Sequence, residues 1–267
     1  MSFFKRVVRS AIIAPFLVAS AHAVTLDWDA VAWTAGTLTH SYDIDPANAG
    51  NDVTVTVSGN TSQLQPGLVS PNPQTPAITT ALEGGLSPVQ KSLEVAIDLA
   101  NQSQAIVVTV NFSAGYTHGV QNVSFTIFDV DFANSGGNTF QDQIRSIQAV
   151  AADGVTLVAP TITVGSDVSL TGSGLNQLAT GIATNTDTGA TSGNGNVTIS
   201  FGATAITSFT FTYGSGSGTA ADPTYQHIGV HDIAFTPVPE INPAWSAVGS
   251  CLIAAVLILR HSAKFRK

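Results

Sequence analysis

The segment "FDVDFANSGGNTFQDQ" brings three carboxylates, Asp129, Asp131 and Asp142, to one glycine-rich loop. In an extended strand Val123, Phe125 and Ile127 share a face, and Asp129 and Asp131 continue that parity toward the strand's end. Two carboxylates on one side of a strand end repel each other unless something positive lies between them. With Gln141 and Gln143 flanking Asp142, the oxygens gathered here suit a hard cation, and calcium takes about 6 to 8 oxygens at roughly 2.3–2.6 Å. Calcium is the cofactor these residues suggest. The competing reading is three surface aspartates solvating a loop mouth, because the spacing and terminal glutamate of an EF-hand loop are absent.

A second cluster, "YQHIGVHDIAFTP", offers His227, His231 and Asp232. Histidines four apart share a metal on a helix, but on a strand they stand roughly 13 Å apart and cannot hold one ion. The strand-like "DIAFTP" favours the latter, and Asp232 approaches the Asp129 loop only if the two strands are neighbours. Paired carboxylates can also hydrolyse a glycoside when about 5–9.5 Å apart. Asp129 and Asp131 fall in that range, although most such pairs at strand ends are structural. The sequence has no G-x-S-x-G elbow, H-E-x-x-H helix or complete phosphate loop, and its single cysteine, Cys251, sits in a C-terminal apolar run. These residues predict a protein that is not an enzyme. Trp28, Trp33, Tyr42, Tyr116 and Tyr225 could stack on sugars; packing near the first strand is the simpler role.

The elements that must position these residues read as strands. Period-two alternation rich in Val, Ile, Thr and Phe runs through 52–59, 105–113, 122–132, 143–152, 196–202, 206–214 and 227–237. The separators, such as "DPANAGND", "NSGGNT" and "SGNGN", are turn chemistry. The stretch 88–102 fits a helix or a strand, and the apolar run that follows directly favours the strand. The segment "SPNPQTPAITTALEGG" reads as a long surface loop. The fold class expected is all-β, an antiparallel β-sandwich or jelly roll, in one domain over residues 24–237.

Charge is scarce and unevenly placed. Only 10% of the 267 residues are charged, against roughly 25% in ordinary soluble domains. Seven of the nine basic residues lie at the two ends, which leaves Lys91 and Arg145 as the two cations between Val24 and Glu240, against all 17 acids. Such a domain repels phosphate backbones, so nucleic acid is not an expected partner. Its surface must be polar through hydroxyls and amides.

Residues 1–23 carry a basic "KRVVR", an apolar "AIIAPFLVAS" and a small-residue "AHA", the pattern of a secretory signal peptide, here expected as a helix. At the other end, 15 uncharged residues from Trp245 to Leu259 would make a helix about 22 Å long. That is short for a span, but Trp245 suits the interface and Arg260, Lys264, Arg266 and Lys267 suit the cytoplasmic side.

A Pro-Glu dipeptide after a β domain, then a short apolar helix and terminal cations, resembles the PEP-CTERM sorting signal of exopolysaccharide-producing Gram-negative bacteria. The matching parts are Val238, Pro239 and Glu240, the predicted transmembrane helix from Trp245 to Leu259, and the cations from Arg260, together residues 238–267. The usual third motif residue is proline, and this chain has Ile241, with Pro243 two positions on. The resemblance implies an exosortase-type membrane protease as a partner, membrane anchoring before processing, and then a cell-surface or extracellular location. Exopolysaccharide or envelope components are the implied ligands, with a calcium-dependent adhesion module as the alternative and a glycan hydrolase as the weaker one.

Overall fold

The structure, a computed structural model, describes residues 22–135, 138–182 and 189–239. The expected signal helix and C-terminal transmembrane helix lie outside them, as do Glu240, Trp245, Leu259, Arg260, Lys264, Arg266 and Lys267. Residues His22–Val238 form one compact unit. Among the described residues no helix is long and apolar enough to cross a membrane.

Among the described residues, seventeen strands, all paired antiparallel, make one curled sheet. In one layer β2 (Thr39–Tyr42), β3 (Val53–Gly59), β6 (Ala105–Phe112), β15 (Ile206–Ser215) and β9 (Asn138–Ala151) lie side by side. The far edge of β9 carries β8 (Phe132–Ser135), β13 (Leu178–Gly181) and β10 (Leu157–Val158), and β12 (Val168–Thr171) pairs with β13.

The other layer runs β4 (Ala77–Thr79), β5 (Ser92–Ile97), β16 (Gln226–Val230), β7 (Val120–Phe128), β14 (Val197–Ser200) and β11 (Thr161–Val164). β16 and β17 (Ile233–Pro237) take successive stretches of the same edge of β7, and β1 (Val24–Leu26) completes the layer on β17. The pairing of Ile206 with Val120 joins the layers.

Alternation explains why the chain takes these strands. In β3 Val53, Val55 and Val57 are buried while Thr54 and Thr56 face outward, and β6 repeats the pattern with Ile106, Val108 and Val110 inside. The inner faces meet through aromatics. Phe125 of β7 stacks on Phe209 of β15 at 4.6 Å between ring centres, and Phe112 of β6 meets Phe235 of β17 at 5.0 Å. Each such side chain removed from water contributes roughly 1.5–3 kcal/mol. In a domain without a disulfide, this burial is the main source of cohesion.

Several expectations are refined. Residues 88–102 contain a strand, Ser92–Ile97, whose six residues are all buried. The predicted strand over 122–132 stops at Phe128, and Asp129 follows it at φ +66°, where the chain turns away. The run 227–237 divides into β16 and β17 at His231–Asp232. The presumed surface loop around residue 77 contributes β4, with Ala77 and Thr79 buried against β5.

Candidate functional site

Asp129, Asp131 and Asp142 are brought together, and all three are buried. The reading of solvated surface aspartates is thereby corrected. Asp142 lies on the inward face of β9, opposite Ser215 of β15, and its oxygens accept from the Tyr213 hydroxyl at 2.8 Å and the Asp131 N–H at 3.3 Å. In return the Asp142 N–H donates to the Asp131 carbonyl at 2.9 Å. The positive φ at Asp129 turns the chain out of β7 so that its carboxylate meets Nε2 of His227, on the neighbouring β16, at 3.0 Å.

Glu94 of β5 joins this group from the far side of β16. It is 1% exposed and accepts the Leu68 N–H at 3.0 Å, which ties the 64–91 segment down onto the sheet. Nothing in the local sequence "SLEVAIDLA" marked Glu94, since an acid in an alternating strand normally faces water. Only the covering segment, whose Gly67 leaves no room for a side chain against the Glu94 carboxylate, reverses that.

Electrostatics follow from this burial. Desolvation pushes the Asp142 carboxyl up to about 8 even though the Tyr213 and Asp131 hydrogen bonds oppose the rise. Glu94 is raised for the same principal reason. For His227 burial disfavours the cation, but the hydrogen bond and charge of Asp129, with Asp142 and Glu94 behind it, outweigh that and raise the imidazole. In this cluster burial favours the protonated form of Asp142 and Glu94, and the neighbouring carboxylates favour the protonated form of His227.

A second buried acid pair, missed in the sequence, stands at the start of the domain. The Tyr116 hydroxyl lies 3.1 Å from Asp45 and 3.0 Å from Asp52. Asp52 also accepts the N–H groups of Ile44 and Asp45 and the Asn48 amide. Asp45 accepts the Ala47 N–H and contacts His22 at 2.9 Å. Burial raises the Asp45 carboxyl, but these hydrogen bonds and the His22 charge bring it below its ordinary value. The signal, visible but weak, was "DIDPANAGND", a run read only as a turn.

His227 and His231 have different partners, as strand spacing requires. His231 lies 3.7 Å from Asp232, and Asp232 accepts the Trp28 N–H at 3.0 Å instead of reaching the Asp129 loop. Trp28, Trp33, Tyr42 and Tyr116 are buried; Trp28 meets Trp33 and Tyr42 edge-on at 6.4 and 6.0 Å, and Tyr116 meets Phe235 edge-on at 5.8 Å. They serve packing. Tyr225 is half-buried and donates to the Pro66 carbonyl at 2.9 Å.

As to calcium, the Asp142 oxygens already receive donors and Asp129 faces His227. Among the described residues no three Asp, Glu, His or Cys side chains converge on a point that would hold a metal ion. Val238 is tied to the domain by its N–H donating to the Gly119 carbonyl at 3.1 Å, and Pro239 is the last described residue.

No family model matches this sequence, and no curated protein matches it. Among solved structures it is similar to the CBM22-1–GH10 modules of the Clostridium thermocellum endo-1,4-β-D-xylanase 10B complexed with xylohexaose. The identity is 14% over 61% of this chain and 24% of that one, with a TM-score of 0.27. It is also similar to a structure described as the basis for the promiscuous specificity of carbohydrate-binding modules from the β-sandwich superfamily. There the identity is 11% over 68% of this chain and 56% of that one, with a TM-score of 0.26. The chain thus spans about a quarter of the first structure and just over half of the second.

Proposed function

We propose that this chain is an exported, non-enzymatic module of the bacterial surface or extracellular matrix. It is sorted through its PEP-CTERM-like tail by an exosortase-type protease, and it contacts exopolysaccharide. The observation that carries this reading is the inward turn of the acids. Asp45, Asp52, Glu94, Asp129, Asp131 and Asp142 are each less than a tenth exposed. The partners of Asp45, Asp52, Glu94, Asp129 and Asp142 are backbone N–H groups, an asparagine amide, tyrosine hydroxyls and histidines, so they act as internal ties and not as an open acid pair for hydrolysis. The outward strand positions carry mainly hydroxyls and amides, groups that exchange hydrogen bonds with a hydroxylated polymer as readily as with water, while exposed acids such as Asp43, Asp98, Asp153 and Asp222 lie in the connecting loops.

The test is retention of the purified chain on exopolysaccharide extracted from the cells that make it. Retention that resists moderate salt supports the reading, because contacts between neutral groups are not screened. Passage straight through the column removes the polysaccharide part.

A second reading, the calcium-dependent adhesion module, is favoured by Gln226. Its Nε2 donates to Ser215, which lies opposite Asp142, while its Oε1 is buried without a hydrogen-bond partner. A buried amide oxygen of that kind is the type of group that ligates a hard cation, and melting with calcium and with chelator separates the two readings.

A further inference from the structure

The outer face of the layer β2-β3-β6-β15-β9 is organised in straight cross-strand rows. One row runs Thr39, Thr56, Thr109, Thr210 and Gln148, one residue from each strand. The next runs Ser41, Thr54, Asn111, Ser208 and Val150 across the same five strands. All these positions are exposed or half-exposed. Neighbouring members touch along the rows, with hydroxyl oxygens 2.8 Å apart for Ser41 and Thr54 and 3.5 Å for Thr109 and Thr210.

A third row, Ser58, Val107, Thr212 and Arg145, ends on the one charged residue of the three rows. Between Thr210 and Thr212 the register with β9 slips, and Ser146 takes φ +51°, so β9 carries a bulge. Bulges re-aim side chains. Here Arg145 lies over Gly214, where an added Cβ would come within 3.0–3.1 Å of its two terminal nitrogens. Its hydrogen bond is to Gln143 Oε1 at 3.3 Å, and among the described residues it forms no ion pair. In a chain with 17 acids, an arginine held flat on a sheet without a carboxylate keeps most of its five donors for something else.

We propose that this face binds an extended neutral polysaccharide, with the threonine rows tracking the chain and Arg145 anchoring it by hydrogen bonds to sugar hydroxyls. This rests on the polysaccharide reading above and adds the place and the charge class. Strands about 4.7–4.9 Å apart present a hydroxyl at close to the repeat of a hexose unit, so one row can meet successive sugars in register. The acidity of the domain disfavours polyanions and leaves the neutral polymer as occupant. Because Trp28, Trp33, Tyr42 and Tyr116 are committed to the core, recognition here works by hydrogen bonds and not by stacking.

Affinity electrophoresis of the full chain in gels containing hydroxyethylcellulose, galactomannan or alginate tests this. The unaltered chain is expected to be retarded by a neutral polymer and not by alginate. Thr210→Lys and Arg145→Gln should each weaken retardation about tenfold or more, and Thr198→Lys on the opposite layer should not. Melting curves confirm that each variant is folded, and Arg145→Gln, which keeps a polar side chain of similar reach, decides should Thr210→Lys fail to fold. Retardation that survives both changes overturns the assignment of this face while leaving the polysaccharide reading intact. No retardation of the unaltered chain in any of the three gels overturns both. Retardation by alginate alone overturns the neutral class, and a dimer that Thr210→Lys abolishes would assign the face to a second copy instead.

Discussion

The Tyr213 hydroxyl donates a 2.8 Å hydrogen bond to Asp142, and both side chains are completely buried between the layers. This pair anchors an acid network that no surface-charge argument could have located. It also has a consequence for stability that runs against the usual behaviour of carboxylates.

An ordinary aspartate has a pKa near 3.9 unfolded, whereas burial holds Asp142 up to about 8 in the fold. Between those values the native state binds the extra proton, so Asp142 makes stability fall as pH rises from about 4 to about 8. Glu94 and His227, both raised, act with the same sign. Asp45, lowered, acts oppositely, and its contribution is lost only in more acidic solution. The melting midpoint should therefore be higher at pH 5 than at pH 8, with each kcal/mol appearing as roughly 2–4 °C. Asp142→Asn, which cannot titrate and keeps an acceptor for Tyr213, should flatten most of that slope in thermal melts by circular dichroism.

Tyr116 serves two buried carboxylates with one hydroxyl. Tyr116→Phe keeps the ring against Phe235 but leaves Asp45 and Asp52 without their common contact. The expected cost is about 1–3 kcal/mol for charged groups losing a buried partner, read as a lower urea midpoint with an unchanged slope.

Gly84 sits at φ +56° where an added Cβ would strike the Phe128 ring, and Asn196 reaches across to its carbonyl at 2.9 Å. Gly84→Ala should cost about 1–3 kcal/mol through overpacking and loosen the 64–91 segment. Hydrogen exchange at Leu68, whose N–H is held by Glu94, should then accelerate more than exchange in β6.

If the buried aspartates are ties and not cation ligands, adding calcium or a chelator should leave the melting midpoint unchanged. A rise with calcium, strongest above pH 7 where Asp142 loses its proton most readily, would support the calcium-dependent module.

Much of the fold was legible because alternation is a local property. The strands around Val55, Val108, Phe125 and Phe211 each announced themselves through period-two valine, threonine and phenylalanine. What was not legible depended on chain segments distant in sequence. Glu94 reads as a surface acid until the 64–91 segment covers it, and Asp142 pairs with a tyrosine 71 positions away. The grouping of Asp129, Asp131 and Asp142 was readable because one loop joins them. Their burial was not, since it follows from the turn at Asp129 and from His227 on an adjacent strand. The threonine rows needed the register of five strands, which no single strand encodes.

Export and sorting are tested most directly by the intact mass of the protein recovered from its native cells, in membrane and released fractions. The account expects a released species beginning near Val24 and ending near Glu240, produced by removal of both ends. A species that still ends at Lys267 in every fraction would contradict it and leave a plain membrane anchor in place of the sorting signal.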